Sequence, residues 1–316
     1  MTPVVTDGGK SALATGVAGL VFQNPILLAA GTAAYGRELD DVIELDALGG
    51  IITKAVSLEP RAGALAPRVA DFDGGMINAV GLANPGVAEV KARHLPWLAS
   101  SLNSARVLVN VVGRVVEDFG EVIARLDDSP GVDGYELNVS CPNTRAGGLE
   151  FGADAATLSA VVRSARAATT RPLFVKLSPT LSDIAQAAEV AVNSGADGIS
   201  VVNTIPGLVI DLATRRPVLG FGTGGVSGPG LRPVGVLATW KVRSAVRVPI
   251  IGVGGVGCAE DALQYVVAGA SLVAVGTAAL ANPRVPGRIV RDLARWCARN
   301  GVARLADLVG ILEWPS

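Results

Sequence analysis

The sequence predicts an α/β fold, a (β/α)8 TIM barrel, on three observations. Short, nearly continuous apolar runs alternate with helical spacings, eight such runs occur, and nearly every one stops at a polar residue or a glycine. Strands read this way when helices cover both faces of a parallel sheet. A barrel of this type needs about 250 residues, so a chain of 316 leaves room for long loops. The runs are residues 26–29, 51–53, 107–109, 135–137, 173–175, 198–202, 250–251 and 272–275. Helical stretches lead into them. Leu45 and Leu48 precede Gly49-Gly50, while Ile184, Ala187, Ala188 and Ala191 keep helical spacing up to Gly195. Leu263, Val266 and Val267 lead to Gly269 in the same way. A doubly wound open sheet shares the alternation, but no G-x-G-x-x-G follows the first strand, which weighs against its dinucleotide-binding form.

No linker composition interrupts the chain, so residues 1–316 read as one domain. The segment before Pro25 reads as a hairpin closing the barrel bottom. Two connections, 141–154 after the fourth strand and 204–233 after the sixth, are long enough to form functional loops over the carboxyl-terminal mouth.

Composition narrows the function. Half of the residues are apolar and 17% are charged, against about 25% charged in an average soluble domain. The chain can therefore bury a large core. The net charge of −1 and the lack of any Lys/Arg cluster argue against nucleic acid or an anionic membrane as partner. Residues 11–36 and 262–283 lack charge, but Gln23-Asn24-Pro25 and several glycines break the first and Gly269 splits the second, so neither reads as a span. Asp7 and Lys10 before a weak apolar run do not read as a signal peptide. The three cysteines are far apart and form no CxxC, so neither a metal centre nor a disulfide framework is expected, and the odd count fits a reducing cytoplasm. The single histidine, His94, sits at the predicted end of a helix, where a capping or solvated role is expected.

In a barrel the strand carboxyl ends share one mouth, and chemistry sits there. Lys54, Asn110, Asn138, Lys176, Asn203 and Thr277 all follow strands. Each could be a turn residue alone. Together they make a cationic, hydrogen-bonding floor suited to an anionic ligand or an electron-rich ring. The turns Gly254-Gly255 and Gly276-Thr277 follow the last two strands, where barrels often hold a phosphate through backbone N–H groups. The run Asn138-Val139-Ser140-Cys141-Pro142-Asn143 places a cysteine just beyond a strand. Near lysines, such a thiol can serve as nucleophile, general base or redox group, and the lack of a paired histidine disfavours a Cys–His hydrolase.

With these residues in view, the chain resembles the class 1 dihydroorotate dehydrogenases, most closely the catalytic subunit of the NAD-linked class 1B type. The likeness runs through Ile52-Thr53-Lys54-Ala55, Glu59-Pro60-Arg61, Asn78-Ala79-Val80-Gly81-Leu82-Ala83-Asn84-Pro85-Gly86 and the Asn138 to Asn143 run. It continues through Val175-Lys176-Leu177-Ser178-Pro179, Asn203-Thr204 and Gly224-Gly225-Val226-Ser227-Gly228-Pro229. The resemblance implies an FMN enzyme that oxidises (S)-dihydroorotate to orotate in pyrimidine synthesis. Cys141 matches the family's base, taking a proton from C5 while hydride leaves C6 for flavin N5. Lys176 matches the lysine beside the flavin N1/O2 edge, and Lys54 matches one that contacts flavin and substrate carboxylate.

Asn78, Asn138, Asn143, Asn203 and Thr204 match substrate-binding groups. The loop of Asn78, Ala79, Val80, Gly81 and Leu82 is expected to offer backbone N–H groups to the carboxylate. Ala30, Gly31, Ala55, Asn110, Val202, Gly228, Gly254, Gly255, Gly276 and Thr277 match flavin-binding positions, with Asn138 shared between the two sets. Ala30 stands where relatives often carry serine, and Val80 replaces a longer aliphatic residue. A homodimer is expected, and the NAD-linked type implies a second subunit carrying FAD and a [2Fe–2S] cluster, because this chain has no cysteine set for a cluster. A fumarate-using class 1A enzyme, a dihydropyrimidine dehydrogenase-like subunit and a non-redox phosphate-binding barrel are the alternatives.

Overall fold

The computed structural model describes residues 11–140 and 151–315. Strands β1 (Thr15–Val17) and β2 (Leu20–Phe22) form an antiparallel N-terminal hairpin. A closed barrel of parallel strands follows: β3 (Ile26–Leu28), β4 (Gly50–Ile52), β7 (Arg106–Val111), β8 (Gly134–Asn138), β9 (Leu173–Leu177), β10 (Gly198–Val201), β15 (Ile250–Val253) and β16 (Leu272–Val275). The expected barrel and its closing hairpin are both present.

Alternation along each strand sorts the core. Leu27, Ile52, Leu108, Phe174, Ile251 and Leu272 cluster inside the barrel, and Val17 and Phe22 of the hairpin plug them from below. Their neighbours Ile26, Ile51, Val107, Tyr135 and Val175 face outward into the helical layer. That layer holds α3 (Val116–Leu126), α4 (Ala155–Ala167), α5 (Ile184–Asn193), α6 (Arg232–Ala245), α7 (Ala259–Ala268), the short α8 (Thr277–Ala281) and α9 (Val285–Arg299). Helix α3 buries Phe119, Val122, Ile123 and Leu126, one stripe at helical spacing. Asp154 and Asp183 start α4 and α5 by accepting from the N–H groups of Thr157 and Gln186. Gly269, at φ 127°, ends α7 in a conformation that a side chain resists.

Three features differ from the sequence expectation. The stretch before β4 is not an α-helix but two 3-10 turns, Arg37–Leu39 and Leu45–Ala47. Side chains of Gln23 and Asn24 donate to the carbonyls of Asp46, Ala47 and Leu48, taking acceptors that a longer helix would use. His94 is not at a helix end. It lies inside a continuous helical run made of α1 (Val87–Glu89), a π turn (Val90–His94) and α2 (Leu95–Ser101). The π turn absorbs the missing N–H of Pro96, and the His94 ring stacks on Tyr35 with centroids 4.2 Å apart.

The third difference concerns the long connection after β10. It is largely sheet: β11 (Ile205–Gly207) and β14 (Gly224–Ser227) join β5 (Val69–Phe72) and β6 (Gly75–Asn78) in the antiparallel order β11-β14-β6-β5, and β12 (Ile210–Asp211) pairs with β13 (Arg216–Pro217). Two insertions thus build one cover sheet beside the mouth. No helix among the described residues is long and apolar enough to cross a membrane.

Candidate active site

A cavity of about 280 Å³ opens at the carboxyl ends of the strands, between the barrel and the cover sheet. The barrel supplies its polar floor. Lys54 follows β4, and its ammonium end lies against Gly31, which takes a positive φ of 82°. Asn110 on β7 is fully buried, and its Nδ2 donates to Glu136 Oε1 on β8 at 2.7 Å. Strand register sets Asn138 beside Lys176, and Lys176 beside Ser200. The ammonium-bearing side chain of Lys176 is 6% exposed. A lysine held this deep at a cavity wall favours an anion or an acceptor atom in the cavity, because a buried charge is costly without a partner.

The amides are pre-oriented. Asn203 Nδ2 donates to Ser140 Oγ at 2.8 Å, and Ser140 Oγ donates to Asn138 Oδ1 at 3.3 Å. Asn203 Oδ1 accepts from the N–H of Thr204 at 2.9 Å. From the cover sheet, Asn78 Nδ2 donates to the Gly225 carbonyl, and Val69 and Met76 add apolar wall. Gly81 and Leu82 both have positive φ, 69° and 57°, and the Leu82 carbonyl accepts from Asn84 Nδ2 at 2.8 Å. Leu82 is strained for a residue with a side chain, a condition that clusters at ligand-binding loops.

The glycine turns form the opposite wall. A Cβ on Gly255 would lie 2.7 Å from the Arg232 nitrogen and 2.8 Å from the Gly228 carbonyl oxygen, so the turn closes only with glycine there. The buried Tyr265 hydroxyl donates to the Gly254 carbonyl at 2.6 Å, with the Val253 carbonyl, which accepts from the Val202 N–H, 3.2 Å away. Burial pushes the Tyr265 phenol far up, which keeps it a neutral donor. Arg232 pairs with Asp261, whose other oxygen accepts from the N–H of Gly257 and Cys258. Thr277 Oγ1 donates to Ser227 Oγ at 2.7 Å, tying the last barrel turn to the cover sheet.

The cavity brings together, from the sequence-predicted set, Ala30, Gly31, Lys54, Ala55, Asn110, Asn138, Lys176, Val202, Asn203, Thr204, Gly254, Gly255, Gly276 and Thr277, with Asn78, Val80, Gly81 and Leu82 from the loop above. Ala79 does not face it. Its side chain packs with Ile77 and Leu219, and its N–H already donates to the Arg68 carbonyl at 2.8 Å. Gly228 supports the wall between the lining residues Ser227 and Leu231 without lining it. Cys141 and Asn143 lie outside the described residues. Sequence reasoning missed Glu136, Ser140, Met76 and Ser227. Glu136 had a signal, since a charge in an apolar strand two residues before Asn138 shares its inward face.

The dihydroorotate dehydrogenase family model matches residues 12–296, most of the barrel and every element described above that lines the cavity. This chain belongs to the dihydroorotate dehydrogenase family. A catalytic subunit of dihydroorotate dehydrogenase B (NAD(+)) from Pelobacter propionicus is 44% identical, with 96% of this chain and 99% of that protein aligned. A putative dihydroorotate dehydrogenase A (fumarate) from Solibacter usitatus is 48% identical over 96% of this chain and 99% of that one. A Geobacter species supplies another B-type catalytic subunit at 42% identity over 95% and 98%. Family membership makes the chain an oxidoreductase, and the names of its relatives divide over the electron acceptor.

Proposed function

We propose that this chain oxidises (S)-dihydroorotate to orotate with bound FMN and acts as the catalytic subunit of an NAD-linked enzyme. The observation that carries the reading is the meeting of two lysines and four asparagines, from three barrel strands, two barrel loops and a cover strand, beside two glycine turns in one cavity. The residues fit the cofactor. Gly254, Gly255, Gly276 and Thr277 suit a phosphate because backbone can approach it closely, and Lys176 suits the electron-rich edge of a ring that gains charge. When bound, FMN accepts the hydride leaving substrate C6.

Lys54 holds the substrate carboxylate, with Asn78 and the N–H groups of the 80–82 loop. Asn138, Asn203 and Thr204 orient the ring. Cys141 takes the C5 proton at its sulfur. The C5–H electron pair becomes the new C5=C6 bond as the C6–H pair departs, so two electrons and one proton leave as hydride and one further proton stays on the thiol. A site that pairs so many polar atoms rejects analogues that leave some unpaired. The catalytic chain is expected to pair with itself and, for NAD, with a subunit carrying FAD and a [2Fe–2S] cluster, in the cytoplasm.

A second reading, direct reduction of fumarate, is favoured by the 48% identical relative. An acceptor screen separates the two. The purified chain is mixed anaerobically with dihydroorotate, and its yellow colour should bleach. Reoxidation by fumarate alone supports the fumarate reading. NAD reduction that requires a copurifying subunit supports the first. A chain that stays colourless with added FMN overturns both.

A further inference from the structure

Glu136 lies in the middle of β8 with no exposed surface, on the face that turns into the barrel, and no step above uses it. Its Oε1 accepts from Asn110 Nδ2 at 2.7 Å. Asn110 Oδ1 and Glu136 Oε2 are both buried and have no hydrogen-bond partner among the described residues. Asn110 also lines the cavity. A carboxylate can only accept, so it commits the amide nitrogen and leaves the amide oxygen as the acceptor. A buried carbonyl left unpaired is costly, and a donor on the ligand relieves that cost.

We infer that Glu136 is a positioning residue that fixes Asn110 as the hydrogen-bond acceptor for the ring N–H of the bound flavin. The inference rests on the FMN reading above. The oxidised isoalloxazine ring has one N–H, at N3, while its other polar edge atoms accept. Lys54 and Lys176 can serve those acceptors, since an ammonium only donates. Asn110 could do either job, and Glu136 settles which. Without Glu136 the amide is free to turn, and its nitrogen would then oppose a second donor.

Two changes remove the commitment in different ways. Glu136→Asp keeps the acceptor-only group but withdraws it from Asn110 by one methylene. Glu136→Gln keeps the reach but can offer Asn110 either an oxygen or an N–H, so it no longer settles the amide. The full chain is stripped of flavin, and fluorescence quenching gives its dissociation constants for FMN and for the N3-methyl analogue, which lacks the ring N–H. Wild type should prefer FMN by about tenfold, the worth of one hydrogen bond. Both Glu136→Gln and Glu136→Asp should lose most of that preference, falling to within about threefold of indifference. A preference unchanged in either variant overturns the inference, as does a wild type indifferent to N3 methylation. Equal weakening toward both flavins marks Glu136 as structural only and also overturns it. A wild-type chain that binds neither flavin refutes the cofactor reading itself.

Discussion

At the scale of single residues, the sharpest claims concern Cys141 and Lys54. Cys141→Ala should abolish dihydroorotate oxidation while FMN stays bound, because the proposed role of the thiol is to take the C5 proton. Rapid-mixing measurement of flavin bleaching checks this, and bleaching at the wild-type rate would remove Cys141 from the reaction. Lys54→Ala should weaken orotate binding by about 1–2 kcal/mol, the worth of a charge-assisted hydrogen bond. Titration of the flavin spectrum with orotate reads that loss, and unchanged affinity would contradict the placement. The cavity residues legible in the sequence were those that chain geometry brings to the mouth: Lys54, Asn110, Asn138, Lys176 and Asn203 each lie within two residues of the carboxyl end of a barrel strand. Ala79 was misjudged because the partner of its N–H, the Arg68 carbonyl, is fixed by pairing that its own neighbours do not encode. Glu136 escaped notice because its meaning depends on Asn110, which is 26 positions away in sequence.

At the scale of elements, the barrel strands were legible and the cover sheet was not. A barrel strand is buried on both faces and announces itself as an apolar run. The cover strands are three to four residues long and partly exposed, and Ser227 of β14 pairs with Met76 across a gap that no local pattern spans. The β5–β6 hairpin did carry a signal, since Asp73-Gly74 is a favoured two-residue turn. The same scale explains the last glycine turns, which Tyr265 on α7 anchors from beneath. Tyr265→Phe removes that donor and strands the Gly254 carbonyl, while the Val253 carbonyl keeps the Val202 N–H, at about 1–3 kcal/mol. The melting temperature should fall, and FMN should dissociate several-fold more readily because Gly254 lines the cavity. Thermal melts with and without added FMN read both effects, and a variant matching wild type in each would remove Tyr265 from the wall.

At the scale of the whole molecule, the response of folding to acid divides into two windows. Asp128, Asp154, Asp211 and Asp307 have carboxyls held below the usual aspartate range. Hydrogen bonds dominate each shift: Asp128 to Lys91, Asp154 to Thr157, Asp211 to Thr214 and Asp307 to Arg304. Their stabilisation is complete above the unfolded value of 3.8 and is lost only as pH falls below it. His94 acts earlier and with the same sign. Burial against Tyr35 lowers its pKa from 6.5, chiefly by desolvation of the imidazolium, so the unfolded chain binds the proton more readily. Stability is therefore full above 6.5 and erodes as pH falls from 6.5 to the folded value, after which this contribution is constant. Because the chain has a single histidine, one substitution isolates the effect. His94→Phe keeps a ring to stack on Tyr35 and removes the proton. Melts across pH 8 to 5 should show a shallower decline in the variant than in wild type, with the two converging in slope above neutrality. Parallel curves through the whole range would show that His94 meets no desolvation penalty in the native fold.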